Sequence, residues 1–517
     1  MSDDNDNDDN AEPVTAQFSA GVGIGTQVAG IRKFLGVPYA APPVGPLRFA
    51  PPQPVDPWSQ PRRFTQFGPQ CVQPESMLNP PGQQESEDCL TLNVWAPESA
   101  LNAAVMVWIH GGSFTSGSGA LSWYDGAALA SRGVVVVTLN YRLGALGFLH
   151  LGGIPGETAN GLDHAANLGL QDQAAALKWV HDNIAAVGGD PRRVTIFGES
   201  AGAMSVGAHL VSPASAGLFS RAILQSGTPA HSHGLEAAAA VRVAVLESMV
   251  GSNDTDLAAL QSIEVKRFIE ADAAANAVAR TAALPLPFQP VRDGLHLPVD
   301  PRESIRTGAC AQIPLMVGAN RDEMRLFSLG AAMAGTVPSE ETLLRRAQRM
   351  LESANSSSQP AELLSRYREV SGHDGGIELW SALATDAVFR LHALDLAETQ
   401  AAAGGQVWHY SFEYASEAFG GLLGAAHALE IPFAFDNLHQ RGISLLLGEV
   451  TEEMSRLATG MADAWVSFAQ GQSPRLPGGD PWPAFSQTTP TTAVLGVESS
   501  LTTTHLDEVR DLWTSRG

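Results

Sequence analysis

Residues 194–203 read VTIFGESAGA, a strand-like run that leads straight into a serine set between two glycines. Gly198-Glu199-Ser200-Ala201-Gly202 has the G-x-S-x-G spacing, in which a sharp strand-to-helix turn lifts a serine hydroxyl clear of the backbone. Such a turn needs a strand before it and a helix after it, so it constrains the whole fold around it. The neighbouring sequence supplies the alternation. VMVWI (105–109), VVVVTL (134–139), AILQ (222–225) and PLMVG (314–318) are short apolar runs bounded by turn residues, as strands buried on both faces are. Between the second of these and VTIF (194–197), Leu170, Ala174, Leu177, Val180 and Ile184 recur at helical spacing and stop at GGDP. This pattern predicts a crossover helix. Strand, helix, strand implies a parallel sheet with Ser200 at the carboxyl end of a central strand, where open α/β sheets place their chemistry.

The flanking text fits one large α/β domain over 14–517. Alanine-rich stretches at 230–280 and 335–400 read as helical excursions that cap the sheet, GQVWHYSFEY (405–414) as a late strand and LATGMADAWVSFAQ (457–470) as a closing helix. Residues 1–13 are too polar to order and read as an acidic tail. They lack the basic and then apolar text of a signal peptide, though they could be a linker left after one was removed. The balance of 31 basic to 54 acidic residues, net −23, argues against nucleic acid, whose phosphates require a basic surface. No uninterrupted apolar stretch is long enough to span a bilayer.

A nucleophilic serine needs a base, an acid that orients the base, and donors for an oxyanion. In α/β-hydrolases these follow in the order serine, acid, histidine. Glu323 in GANRDEMRLF falls just after a predicted strand, and His427 in GAAHALEIPF sits in a Gly/Ala-rich loop after the last one. Asp322 is the rival acid. Upstream, WIHGGSF (108–114) follows a strand with two glycines, the pattern of a loop whose backbone N–H groups point at a developing oxyanion. The three cysteines, Cys71, Cys89 and Cys310, have no C-x-x-C spacing, so neither a structural metal nor a redox motif is expected. Cys71 and Cys89 could close a disulfide worth roughly 3 kcal/mol, or remain two buried thiols. A disulfide would favour a secreted or periplasmic location, and free thiols a cytoplasmic one.

These motifs resemble those of the type B carboxylesterases, the family that includes cholinesterases and bacterial para-nitrobenzyl esterase-like enzymes. GGDPRRVTIFGESAG is similar to the family's serine signature and EDCLTLNVWAP (87–97) to its second signature. Further similarity runs from GIRKFLGVPYAAPPVGPLRF (30–49) to DAWVSFAQGQSP (463–474). The resemblance implies an α/β-hydrolase fold with helices flanking a central, mostly parallel sheet, and a serine carboxylesterase that hydrolyses small-molecule esters, short- to medium-chain or aryl, without metal or cofactor. It assigns Ser200 as nucleophile, Glu323 as acid and His427 as base. Gly112, Ser113 and Ala201 fall at oxyanion-donor positions, and Glu199 and Ser226 resemble neighbours of the triad. Leu284 and Leu286 resemble acyl-pocket positions and Phe327 a gorge wall. Ser113 stands where the family usually has Gly or Ala, Met324 where it has Gly, and Val187 where it has Phe. The absence of any aromatic residue between Cys71 and Cys89 makes choline esters poor candidates. Carbamates, amides or polyesters on the same triad, and a non-catalytic binding protein on the same fold, are the competing readings.

Overall fold

β-Branched and aromatic runs become strands, and alanine-rich runs become helices, in two compact units. The computed structural model describes residues 11–76, 84–152, 165–251, 256–281 and 286–513. The first unit comprises residues 1–197, 208–221 and 232–299, and the second comprises 198–207, 222–231 and 300–517.

In the first unit the strands are β1 (Glu12–Phe18), β2 (Gly21–Val28), β3 (Ile31–Pro38), β4 (Arg62–Arg63), β5 (Thr91–Pro97), β6 (Ala103–Ile109), β7 (Val135–Leu139) and β8 (Gly189–Glu199), the last running into the second unit. They pair in the order β1-β2-β3-β5-β7-β6-β8, with β4 on β2. The amino-terminal strands are antiparallel, whereas β6 and β7 run parallel with Val105 opposite Val135 and Ile109 opposite Leu139. Every residue of β7 is buried, which is why its text is a continuous apolar run with no alternation. The crossover helix α1 spans Leu168–Asn183, and a short 3-10 turn then ends at Gly188, whose φ of 86° is the left-handed conformation that glycine adopts without strain. GGDP therefore does stop the helix, but it also opens β8, five residues earlier than the apolar run predicts. Glu12 and Pro13, assigned to the tail by composition, are already in β1, because the strand ladder to Gln27 and Thr26 satisfies their extended backbone.

The pairing of Cys71 with Cys89 is corrected. Both are buried free thiols, in hydrogen-bond contact with each other. That contact, together with burial, pushes the Cys89 thiol well above its ordinary range, which suppresses the thiolate that disulfide exchange requires. Elsewhere in this unit Arg142 donates to both oxygens of Asp172 at 2.7 Å, and both side chains are almost wholly buried. The pair ties the loop after β7 to α1. Asp172→Ala leaves a buried guanidinium uncompensated, and urea unfolding should show a loss of about 3–5 kcal/mol. A loss under about 1 kcal/mol would mean that water reaches Arg142.

In the second unit the strands are β9 (Arg221–Gln225, entering from the first unit at Ala222), β10 (Leu315–Asn320), β11 (Val407–Phe412), β12 (Thr492–Leu495) and β13 (Ser500–Thr502). The first four are parallel neighbours in that order and β13 closes the edge antiparallel. Leu315, Met316 and Val317 on β10 are fully buried, and each contributes about 1.5–3 kcal/mol by leaving water. The helices needed below are α2 (Ala201–His209), α3 (Pro301–Arg306), α4 (Met324–Met333), α5 (Gly376–Thr385), α6 (Leu391–Ala402), α7 (Glu452–Ala469) and α8 (Asp507–Arg510). Thr451 caps α7 by accepting from the Met454 N–H at 3.2 Å. The two alanine-rich excursions are helical, the first in one unit and the second in the other. Among the described residues no helix is long and apolar enough to cross a membrane.

Candidate active site

β8 ends at Glu199 and α2 begins at Ala201, leaving Ser200 alone to make the turn. Its φ is +55°, a left-handed conformation that costs a residue with a Cβ about 1–3 kcal/mol. Hydrogen bonds hold it there: the Ser200 N–H donates to the Gln225 carbonyl, and the Ser200 carbonyl accepts from the Met204 N–H, both at 2.9 Å. The loop after β9 passes so close that a Cβ at Gly227 would stand 2.5 Å from the Ser200 carbonyl oxygen. The GESAG text thus does what its spacing predicts, and the glycine in QSG is what lets the next loop support it.

Ser200, Glu323 and His427 all lie in the second unit. Glu323 follows β10 and is fully buried, with each carboxylate oxygen committed: Oε1 accepts the Asn320 N–H at 2.7 Å and Oε2 accepts from His427 Nδ1 at 2.5 Å. Asp322, the rival acid, faces the other way. It accepts the Ala425 N–H at 2.9 Å and pairs with Arg321 and Arg325, so it anchors the loop that carries His427. His427 Nε2 lies 2.9 Å from Glu199 Oε1. Among the described residues Glu199 Oε1 has no hydrogen-bond partner of good direction, and the contact acts on His427 chiefly through charge. Among the described residues no hydrogen bond joins Ser200 Oγ to His427. Burial pulls the His427 pKa down, but the charges of Glu199 and Glu323 outweigh it and hold the imidazolium well above its ordinary range. For Glu199 burial is the larger effect, and its carboxyl is raised despite His427.

Two aromatic rings flank the imidazole. Phe327 on α4 lies 5.1 Å from it and Phe389 4.9 Å, centroid to centroid. Phe327 is 55% exposed, as a wall residue open to an entering ligand would be. Phe389 sits in a π-helical turn, Asp386–Arg390, inserted between α5 and α6. The turn is pinned by Asp386, which accepts from Tyr367 Oη and from Arg390 at 2.7 Å each. π-Bulges of this sort re-aim a side chain within a helix. Sequence spacing carries no signal for Phe389, because helix text with and without a π turn looks alike.

Beneath the histidine lies a buried polar layer that the motifs did not reveal. Glu430, one turn after His427, accepts from Asn320 Nδ2 at 2.6 Å and from Gln225 Nε2 at 3.2 Å, while Trp465 on α7 donates to Gln225 Oε1 at 3.0 Å. Burial, reinforced by Glu199 and Glu323, pushes Glu430 up to about 8, so it is mostly a neutral acid at pH 7. The H-A-L-E spacing was the available clue. Ser226 is fully buried in a left-handed turn, φ +52°, its hydroxyl without a hydrogen-bond partner among the described residues.

The other predicted residues are placed as follows. Ala201 is the fully buried first residue of α2. Gly112 and Ser113 lie in the first unit, on a loop where Gly112, Ser113 and Phe114 all have positive φ. A Cβ at Gly112 would stand 2.1 Å from the Ser116 carbonyl oxygen, so only glycine fits. Leu286 is half-buried in the same unit, its carbonyl accepting from Gln289 at 3.3 Å, and Leu284 lies outside the described residues. Among the described residues no group of three or more His, Cys, Asp or Glu side chains could hold a metal ion.

A model of the carboxylesterase family matches residues 15–511. The chain belongs to the carboxylesterase family. It is a carboxylic ester hydrolase with the α/β-hydrolase fold, as the resemblance implied. It is 38% identical to the para-nitrobenzyl esterase of Bacillus subtilis, the alignment covering 98% of this chain and 99% of that one. Identity to the fumonisin B1 esterase of Sphingopyxis macrogoltabida is 36%, over 88% and 82%. Among solved structures, a carboxylesterase of Geobacillus stearothermophilus superposes with a TM-score of 0.83 at 37% identity, covering 97% of this carboxylesterase and 100% of the other chain.

Proposed function

We propose that Ser200 is the nucleophile of ester hydrolysis, His427 its general base and Glu323 the acid that orients the base. The observation that carries this reading is the 2.5 Å contact from Glu323 Oε2 to His427 Nδ1, in the unit that also holds the strained Ser200 turn. With Nδ1–H fixed on Glu323, Nε2 is the atom free to take a proton. It faces Glu199 at rest and turns to Ser200 Oγ when substrate enters, since catalytic hydrogen bonds in ligand-free sites are often loose. Oγ then attacks the ester carbonyl as Nε2 takes its proton. The backbone N–H groups of Ala201, Gly112 and Ser113 are proposed as oxyanion donors, each worth roughly 3 kcal/mol. His427 returns the proton to the leaving alcohol, then activates water, which releases the acid and restores Ser200. Short- to medium-chain and aryl esters are the proposed substrates, in keeping with the activity for which the Bacillus relative is named.

The test combines labelling with turnover. A fluorophosphonate should add one equivalent of mass, located at Ser200, and p-nitrophenyl acetate and butyrate should be hydrolysed faster than palmitate, with matched anilides slower still. Labelling elsewhere, or anilides turned over as fast as esters, would overturn the assignment.

The same reading gives a pH prediction for Glu199. His427 must be neutral to act as a base, so activity rises as pH climbs through its pKa. Glu199 stabilises the charged form. Glu199→Gln removes that charge, lowers the His427 pKa and should move the acid limb of the kcat/KM profile to lower pH. A limb that stays in place or moves up would show that Glu199 does not act on His427.

A further inference from the structure

In the second unit α4 and α5 are stitched together by hydroxyls at matched spacing. The Met324 N–H donates to Thr385 Oγ1 at 3.0 Å, and Ser381 Oγ donates to Ser328 Oγ at 3.1 Å. The two partners on each helix are one turn apart, and residue numbers rise along one helix as they fall along the other, so the pair lies antiparallel. Thr385, Ser381 and Ser328 are all buried, so water does not readily replace either bond. Two bonds a turn apart fix both the slide and the rotation of α4 against α5. Glu323 directly precedes α4, and its φ of −40° and ψ of −52° are already helical. Met324, standing where the family pattern has glycine, is the better helix former and carries the helix up to that point. Whatever fixes α4 therefore fixes the backbone of Glu323.

We infer that Thr385 is a positioning residue of the hydrolytic site, its hydroxyl holding Glu323 at the distance and angle that the contact with His427 requires. The inference rests on the roles of Glu323 and His427 proposed above. The Met324 N–H is the first donor of α4 and has no partner within its own helix. Thr385 supplies that partner from a distant chain segment, and the segment continues directly into the π turn whose Phe389 ring lies 4.9 Å from the imidazole. Residues 385–389 thus bear on the acid at one end and on the base at the other. The stretch is itself held from behind: Asp386 accepts from Tyr367 Oη and from Arg390, and Trp513 Nε1 donates to the same Tyr367 oxygen at 3.0 Å. A 2.5 Å contact between Glu323 and His427 leaves little room for displacement, because a charge-assisted hydrogen bond weakens as it lengthens or bends.

The experiment compares Thr385→Val and Thr385→Ser in the full chain, with turnover of p-nitrophenyl butyrate counted per fluorophosphonate-reactive Ser200 so that misfolded protein does not contribute. Valine keeps the shape of threonine but leaves the Met324 N–H without its acceptor, whereas serine keeps the oxygen. Glu199 and Glu323 are the carboxylates that contact His427, and Glu430 lies beneath them as a neutral acid. If Glu323 retreats, His427 loses part of the charge that holds its proton, and its pKa falls. Thr385→Val should therefore lower kcat roughly ten- to a hundredfold with KM little changed, and move the acid limb of the kcat/KM profile to lower pH. Thr385→Ser should keep the wild-type kcat and limb, and Thr385→Ala carries the test if the valine variant fails to fold. A loss of kcat with the limb in place would show a merely structural role and overturn the inference, as would a serine variant no better than valine. Glu323→Gln is measured beside them. A collapsed plateau there, with Thr385→Val at the wild-type kcat and limb, overturns the Thr385 role alone. A Glu323→Gln plateau within tenfold of wild type overturns the triad assignment and this role with it.

Discussion

Ser200→Ala is expected to lower kcat for p-nitrophenyl butyrate by about a millionfold, with KM little changed. The size follows from what is removed. On the proposed mechanism there is no acyl-enzyme without Oγ, and His427 has no alcohol to deprotonate, so only donors and binding remain to act on a direct attack by water. The change is also clean structurally. Alanine keeps the Cβ, and the two hydrogen bonds that hold residue 200 at φ +55° belong to its backbone, so the turn and the melting temperature should both survive. Steady-state kinetics with burst analysis reads the result, since wild type should show a burst of nitrophenol under acyl-enzyme accumulation and the variant none. A variant that retained even a tenth of wild-type turnover would mean that another group does the chemistry.

Glu323→Gln should cost about 10⁴-fold in kcat, although it changes one atom. Both oxygens of Glu323 are in use, one accepting the Asn320 backbone N–H at 2.7 Å and the other His427 Nδ1 at 2.5 Å. The Asn320 donor belongs to the end of β10 and cannot move, so the amide must turn its oxygen there and its NH₂ toward the histidine. That orientation makes Nδ1 an acceptor and places the proton on Nε2, the atom that has to take one from serine. Loss of the buried charge also lowers the His427 pKa, because Glu323 is one of the two carboxylates that hold it up. The acid limb of the pH profile should therefore shift to lower pH while its plateau collapses. A plateau within tenfold of wild type would show that Asp322, or Glu199 in a turned arrangement, can replace Glu323.

How far the text of the chain carried these assignments differs from residue to residue. VMVWI, VVVVTL, AILQ and PLMVG are strands because buried parallel strands need uninterrupted apolar text, and the structure places β6, β7, β9 and β10 on them within a few residues. The Ser200 turn was legible because glycine and small residues at fixed offsets are what a sharp strand-to-helix turn requires. Glu323 and His427 could be named from chain order, yet order alone could not separate Glu323 from Asp322. Only the packing does so, by aiming one carboxylate at the imidazole and the other at the Ala425 N–H. The disulfide failed for a related reason: spacing says that two cysteines can meet, not whether they meet as thiols.

Sequence by itself determined the alternation of strands and helices, the serine turn and the family, since these rest on local geometry and on motifs contiguous in the chain. Tertiary structure alone decided how the groups around His427 act on it. Glu199 and Glu430 shift protons only because burial brings carboxyls from three chain segments into one low-dielectric pocket, and Phe389 reaches the ring only because a π turn rotates it there. Electrostatic energy depends on distance through space and on exclusion of water, and neither is written in the order of residues.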